Sequence, residues 1–458
     1  MTNIEKIRNA SVREALHDPG AEFVAKTIHD MGGEALFVGG CVRDALMGER
    51  PHDIDIATSL RPEKVVGIFR ERGLAVVPKG IAFGTVSVFV DGKEFEVTTF
   101  RKDGRYEDGR RPSRVAHAAS FEEDAARRDF TINAVGFCPM DGKIIDPFGG
   151  AGDIKRGIIR CVGDPSERFA EDGLRVLRAV RFAARYKFAL DTGTADALRS
   201  RVGMLSKVSK ERITEEFRKM LFHQCEVKDV FLAFPEAAVA CVPGLAPCIG
   251  FNQNNKYHPH ELWEHMLSVA DGVDEAFVPG GKLFAVRLAA MLHDNGKPSV
   301  VDKSDGDGRW HFNGHPEAGF EILKKSLGED FRLTSAERED VLSLVRFHDM
   351  QLAPREKPVR RALAKHGEEF LRMWAPLRSA DMRDHVGLGR NPFSVDAERE
   401  IRPIVDDIAR KNLALKVTDL AIGGREVMEA AGWTRLSKKV GEALSALFQE
   451  VMDERVNS

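Results

Sequence analysis

The sequence contains no Cys-x-x-Cys pair, no apolar run of about 18 residues and no G-x-x-x-x-G-K-[ST] segment, and each absence removes a class of protein. Its six cysteines, Cys41, Cys138, Cys161, Cys225, Cys241 and Cys248, are scattered along 458 residues. That argues against a zinc ribbon or a disulfide framework and fits a reducing cytosol. No membrane-spanning helix is expected, and the charged start MTNIEKIRNASVREALHD has no apolar stretch of a secretion signal. The expectation is a cytoplasmic protein with no membrane partner. Neither charge is in excess: 68 Lys and Arg stand against 71 Asp and Glu, a net charge of −3. Nucleic-acid binding would therefore need local basic patches. Internal repeats and low-complexity tracts are also absent.

What is present suits a modular globular enzyme, with 43% hydrophobic and 30% charged residues and length for about three domains. EALFVGG is an apolar run ending in glycines, CVRDALMG a helical stretch, and DIDIATSL alternates with period two. PEKVVGIFRERG reads as a helix opened by Pro62, and GTVSVFV-DG-KEFEVTTF as a hairpin turning at Asp91-Gly92. The stretch from Thr99 to His117 reads as a long loop, and from about Asp164 onward nearly every segment is helix-like.

Asp53 and Asp55 flank Ile54. On a strand the two carboxylates would share a face while Ile54 and Ile56 point to the core. Such a pair is either a solvated acidic rim or a magnesium site, since Mg²⁺ takes one or two carboxylates plus substrate phosphates. Glu96, alternating with Phe95 and Val97 on the second hairpin strand, is the candidate third carboxylate. Gly39-Gly40 sits between a strand and a helix, where backbone N–H groups can meet phosphate, with Arg43 in the first helical turn.

GGCVRDALMG, PHDIDIAT, RRDFTINA and GDPSERFAEDGLRVLRAVRFAARYKF, in this order between about residues 35 and 220, resemble the class II tRNA nucleotidyltransferases and bacterial poly(A) polymerases of the DNA polymerase β superfamily. The resemblance implies that Asp53 and Asp55 bind catalytic Mg²⁺ and that Gly39, Gly40 and Arg43 meet the nucleotide phosphates. It places Arg128, Asp129 and Asn133 near the nucleotide sugar and phosphates. It also assigns Asp172 and Arg175, in Glu171-Asp172-Gly173-Leu174-Arg175, as an amino-acid template reading the Watson–Crick edge of C or A. Asp accepts from an exocyclic amine and Arg donates to ring nitrogen and carbonyl. Family members often carry Pro or Ala where Gly173 stands. Arg175, Arg178, Arg181 and Arg185 recur at helical spacing as one basic stripe, and the resemblance turns the first three toward the nucleotide and the RNA 3′ end. Tyr106, Asp108, Arg110, Arg111 and Pro112 resemble the family's flexible loop, which argues for A addition.

A second group comprises His265, His293-Asp294, His315, His348 and Asp381. Imidazole and carboxylate suit divalent first-row metals. Residues 258 to 385, with His293-Asp294-Asn295-Gly296-Lys297, resemble an HD metal-dependent phosphohydrolase. That implies a metal held by His265, His293, Asp294 and Asp381, with His315 and His348 for a second ion.

The expected class is α+β: a mixed α/β nucleotidyltransferase head (20–160), an all-α neck with the base-selecting motif (161–250), an HD-type body (251–385) and a C-terminal helical tRNA-binding region (386–458). The expected function is addition or repair of the 3′-terminal CCA of tRNA with CTP and ATP, using Mg²⁺, releasing pyrophosphate and contacting the tRNA 3′ end and acceptor or elbow region. One alternative is an A-adding enzyme or poly(A) polymerase. The other is a hydrolase whose HD site, with a transition-metal divalent ion, acts on RNA 3′ or 2′,3′-cyclic phosphates. A non-enzymatic RNA scaffold would leave Asp53, Asp55 and the His-Asp cluster unexplained.

Overall fold

The computed structural model describes residues 3–80, 84–103, 115–222, 225–254, 260–303, 310–385, 396–435 and 437–453. The loop residues Tyr106, Asp108, Arg110, Arg111 and Pro112 lie outside them. The chain divides into two compact units, Met1–Glu216 and Phe217–Ser458.

In the first unit, α1 (Asn3–Ala15) and α2 (Pro19–Asp30) lead into β1 (Ala35–Val38), α3 (Gly40–Leu46), β2 (Ile56–Thr58) and α4 (Pro62–Glu71). Then come β3 (Val76–Gly80), β4 (Thr85–Val90), β5 (Lys93–Thr99), β6 (Arg101–Asp103) and β7 (Val115–His117). A seven-stranded sheet follows the order β3-β4-β5-β2-β1-β8-β9, closed by β8 (Gly136–Cys138) and β9 (Lys143–Ile145). β2 and β5 run parallel, and the other neighbours in this sheet are antiparallel. β1 explains its uninterrupted apolar run by being covered on both faces. Phe37 packs with Val24, Ile28, Val42 and Phe137 in one cluster, while Leu36 and Val38 pack with Phe100 and Phe121 in another.

The expected hairpin forms: Asp91 (φ 49°) and Gly92 (φ 80°) both take positive φ between β4 and β5, as a type I′ turn requires. Two readings are corrected. The aspartates do not lie within a strand, because β2 begins at Ile56; the ladder reaches back only through Val38 N–H donating to the Asp55 carbonyl (3.0 Å). The alternation survives, since Ile54 and Ile56 are buried while Asp53 and Asp55 are exposed. The stretch read as one loop has strand ends, β6 and β7, paired antiparallel from Arg101 opposite His117.

Helices dominate after the sheet: α5 (Phe121–Ala126) precedes β8, and α6 (Gly150–Arg156), α7 (Pro165–Glu171), α8 (Leu174–Tyr186), α9 (Thr192–Arg201) and α10 (Lys210–Met220) follow β9. Short parallel strands Ile158–Ile159 and Ala189–Leu190 pair among them.

The second unit is helical: α11 (Lys228–Ala233), α12 (Pro235–Cys241), α13 (Leu262–Gly272), α14 (Leu283–Leu292), α15 (Lys297–Val300) and α16 (His315–Asp330). They continue as α17 (Ser335–Phe347), α18 (Glu356–His366), α19 (Glu368–Asp384), α20 (Ala397–Arg410), α21 (Gly424–Ala431) and α22 (Lys438–Met452). α14, LFAVRLAAML, is apolar all round and buried at every position, as a central helix must be. Its one charge, Arg287, is met by Asp271 (2.8 Å) and by the carbonyls of Ala270 (2.9 Å) and Cys225 (2.8 Å). No helix among the described residues is long and apolar enough to cross a membrane.

Candidate active site and metal centre

The strand-to-helix turn at Gly39 takes φ 78°, a conformation that favours glycine, and a β-carbon there would stand 3.1 Å from the Arg128 guanidinium. This turn, the sheet edge before β2, and α8 surround an open cleft of about 680 Å³. Gly39, Gly40, Arg43, Arg128, Asp129, Asn133, Asp172, Arg175, Arg178 and Arg181 all line it, together with Asp55 and Glu96. Asp53 is exposed and is not among the lining residues.

The parallel register of β2 and β5 pairs Ile56 with Val97, so Asp55, just before β2, and Glu96, on β5, each one residue back from that pair, are neighbours. Their proximity has an electrostatic signature. Partial burial raises the Asp55 carboxyl above its ordinary pKa, and the charges of Glu96 and Asp53 raise it further, against a lowering contribution from Arg128. Like charges held together without a partner disfavour ionisation. A divalent cation would relieve that repulsion, and the oxygen-only donor set fits Mg²⁺ completed by substrate phosphates.

Behind the carboxylates lies a connected network. Arg43 donates to the Asn133 side chain (2.7 Å) and pairs with Asp44 (2.7 Å), its guanidinium 4.9 Å from the Tyr186 ring centre. The Asn133 amide donates to Asp129 (3.1 Å), whose other oxygen accepts from Arg178 Nε (2.8 Å) and a terminal nitrogen (2.5 Å). Burial would raise Asp129, but the Arg178 charge and these hydrogen bonds outweigh it and hold the carboxyl at about 2. Asp129 thus pairs with Arg178, while Arg128 pairs with Asp124 (3.1 Å), a buried residue that the sequence reading passed over. Arg181 pairs with buried Glu216 (2.5 Å). Arg175 donates to Glu171 (2.5 Å) and to the carbonyls of Arg168 (3.0 Å) and Arg127 (3.1 Å). The arginine stripe is therefore no solvated face: Arg175 and Arg181 are buried, and only Arg185 of the four is exposed.

Gly173 has an ordinary backbone conformation (φ −57°), so its absent side chain has another reason. A β-carbon there would lie 2.5 Å from the Met204 carbonyl oxygen. Helix propensity favours alanine by up to ~1 kcal/mol, but backbone has little room to yield. Gly173→Ala is expected to destabilise the first unit by ~1–3 kcal/mol, read as a lower midpoint in thermal unfolding.

In the second unit the six residues expected from the sequence come together from five places: His265 on α13, His293-Asp294 just after α14, His315 opening α16, His348 just after α17, and Asp381 on α19. Among the described residues, His265, His293 and Asp381 form one set able to hold a metal, and His293, Asp294 and His348 another, with ligand atoms within 4.8 Å of one another in each. The outward nitrogens are tied: His265 Nδ1 to Asp384 (2.7 Å), His293 Nδ1 to the Ala290 carbonyl, His315 Nδ1 to that of Phe312, and His348 Nδ1 to that of Val345 (each 2.8 Å). This leaves the Nε2 atoms facing the carboxylates, an arrangement that orients imidazoles for metal ligation. Among the described residues, buried His293 Nε2 makes no hydrogen bond, lying 3.2 Å from Asp294 and 3.8 Å from Asp381. Burial would raise Asp294 and Asp381, but neighbouring imidazoles, and Lys297 at Asp294, hold both well below the usual carboxylate range.

The sequence reading missed Arg212 and Glu216 in the first unit and Arg378, Asp384 and His385 in the second. Arg212 and Glu216 are four apart on α10, a spacing that puts opposite charges on one face. Asp384 follows Asp381 by three on α19, a comparable signal.

Residues 35–160 match the family described as poly A polymerase head domain, 187–225 that described as probable RNA and SrmB-binding site of polymerase A, and 257–371 the HD domain family. The chain is 46% identical over 238 residues to a CCA-adding enzyme of Anoxybacillus flavithermus, covering 52% of this chain and 57% of that one. It is 42% identical over 256 residues to that of Leuconostoc mesenteroides, covering 54% and 62%. The matches thus span little more than half the length of these curated relatives. Among solved structures, the Bacillus stearothermophilus CCA-adding enzyme in complex with CTP is similar at a TM-score of 0.67 and 29% identity, covering 96% of this chain and 95% of that one. The Thermotoga maritima CCA-adding enzyme complexed with tRNA shares the fold at a TM-score of 0.62 and 19% identity, covering 98% and 95%. Residues 35–160 are thus similar to a poly A polymerase head domain and residues 257–371 to an HD domain.

Proposed function

We propose that this protein is a cytoplasmic tRNA nucleotidyltransferase that builds or repairs the 3′-terminal CCA from CTP and ATP. The observation that carries the reading is that Asp55 and Glu96 open into the same cleft as Asp172 and Arg175. A group that reacts and a group that chooses the base thus face one substrate space, with no nucleic-acid template needed. The CCA-adding relatives and the CTP-bound structural neighbour support it.

In this reading Asp53 and Asp55, with Glu96, hold Mg²⁺. The ion held there would supply activation of the RNA 3′-hydroxyl and charge neutralisation at the transferring phosphoryl group, with pyrophosphate as leaving group. Gly39, Gly40 and Arg43 hold the triphosphate, and Arg128, Asp129 and Asn133 the sugar and phosphates. Asp172 accepts from the exocyclic amine of C or A, and Arg175 donates to the same edge. Arg178 and Arg181 face the nucleotide and the RNA end. The head (20–160) carries out the transfer, the neck (161–250) selects the base, and the C-terminal region (386–458) holds the tRNA elbow. A tRNA ending at its discriminator base, given CTP alone, is expected to gain two C residues. Absence of C incorporation would replace this reading with A addition or poly(A) synthesis.

The convergence of four imidazole Nε2 atoms on Asp294 and Asp381 favours a second activity in residues 251–385. There His265, His293, Asp294 and Asp381 hold a transition-metal ion, with His315 and His348 for another, and hydrolyse RNA 3′ or 2′,3′-cyclic phosphates. Release of 3′- or 2′-monophosphate from a 2′,3′-cyclic nucleotide on adding a divalent transition metal tests it.

A further inference from the structure

We propose that Arg212, on α10, is the positioning residue that decides which nucleobases Asp172 accepts, an inference resting on the reading of Asp172 as a base-selecting group. Arg212 meets the carboxylate as a fork, one terminal nitrogen donating to Oδ1 (3.1 Å) and the other to Oδ2 (2.7 Å). The Leu174 backbone N–H also donates to Oδ1 (3.1 Å).

An ionised carboxylate offers about four acceptor positions. Two on Oδ1 and one on Oδ2 are taken, which leaves one on Oδ2 in a plane fixed by the fork. A lone Asp carboxyl turns about a broad, roughly two-fold terminal torsion; the bidentate pair removes that freedom. Cytosine and adenine present an amine to a single fixed acceptor. Uracil and guanine present a carbonyl oxygen at that position, which meets lone pairs, although each carries a ring N–H beside it that a rotated carboxylate could reach. Fixing the carboxylate therefore excludes U and G as well as admitting C and A.

The fork is itself anchored. One turn on from Arg212 on α10, Glu216 pairs with Arg181 (2.5 Å) and lies 3.9 Å from Arg178. Next to Asp172 in the chain, a β-carbon at Gly173 would meet the Met204 carbonyl at 2.5 Å, so this backbone has little room to shift. Arg212 itself lines the cleft.

The test measures kcat and KM of the full chain for CTP, ATP, UTP and GTP on tRNA lacking its CCA, in wild type, R212K and R212Q, with thermal melts of each. Lysine keeps the charge but not the planar fork. Both variants are expected to lose ~10-fold or more of the CTP-over-UTP ratio of kcat/KM, mainly through KM, with R212K failing to rescue. Discrimination within twofold of wild type in a variant that melts like wild type overturns the proposal. So does an equal loss for all four nucleotides, rescue by R212K, or failure of both variants to fold, since each makes Arg212 a charge or a structural bridge only. A wild-type protein that adds no nucleotide to any RNA would instead overturn the reading of the cleft.

Discussion

On the proposed reading of the cleft, Asp55→Asn is expected to lower kcat for nucleotide incorporation by ~10³-fold or more, because charge stabilisation at a phosphoryl-transfer metal site supplies several kcal/mol. The same change should leave thermal stability in metal-free buffer unchanged or raised. Asp55 carries a folded-state pKa above its ordinary value because burial and the charges of Glu96 and Asp53 act on it. For a carboxyl whose folded pKa is raised, the protonated form is the one folding favours, so stability falls as pH rises through that pKa and is diminished at neutral pH. A neutral amide removes the repulsion. Mg²⁺ should accordingly raise the melting temperature of wild type, by mass action on the folded state, and have no such effect on Asp55→Asn. Incorporation assays and melts with and without Mg²⁺ check both parts; a variant less stable than wild type without metal would mean that the carboxylate has a structural partner.

The second large effect belongs to Asp294, where charge and ligation can be separated. Its Oδ2 lies 2.6 Å from the Lys297 ammonium, which is 4% exposed and also donates to Gln253 (2.7 Å). Asp294→Ala leaves that ammonium buried without a counter-charge, at a cost of ~3–5 kcal/mol, and should lower the melting temperature of the second unit by about 10 °C. Asp294→Asn still accepts a hydrogen bond from Lys297, so it should unfold closer to wild type while losing transition-metal affinity ~100-fold or more, since even supporting residues cost 10–100-fold. Calorimetric metal titration alongside thermal unfolding distinguishes the two. Equal metal affinity in Asp294→Asn and wild type would remove Asp294 from the ligand set.

How far the sequence carried the argument varied with what each signal encodes. The Asp91-Gly92 turn and the buried run Ala35–Val38 were legible because local chemistry dictates them: two positive-φ residues, and apolar side chains covered on both faces. The order of His265, His293-Asp294, His348 and Asp381 marked a cluster, and the helices bring these residues together. The start of β2 was misplaced because alternation of Ile54 and Ile56 persists in extended chain beyond the last paired residue. Partnerships were less legible than positions. The sequence set Arg128 beside Asp129, yet Asp129 pairs with Arg178, 49 residues away, and Asp172 with Arg212, 40 residues away. Gly173 stood out in the sequence only as a departure from the family's Pro or Ala, and the Met204 carbonyl shows what occupies the space a side chain would take. Such contacts depend on which segments the fold brings together, and no local pattern records them.

The proposed CCA addition is tested most directly at the 3′ end of a tRNA. A tRNA transcript ending at its discriminator base is incubated with CTP, ATP and Mg²⁺, and the products are sequenced, with Asp55→Asn run in parallel. The expected product is C-C-A followed by arrest, formed by wild type and lost in the variant. A tail of A alone, no extension, or wild-type rates from Asp55→Asn would contradict it.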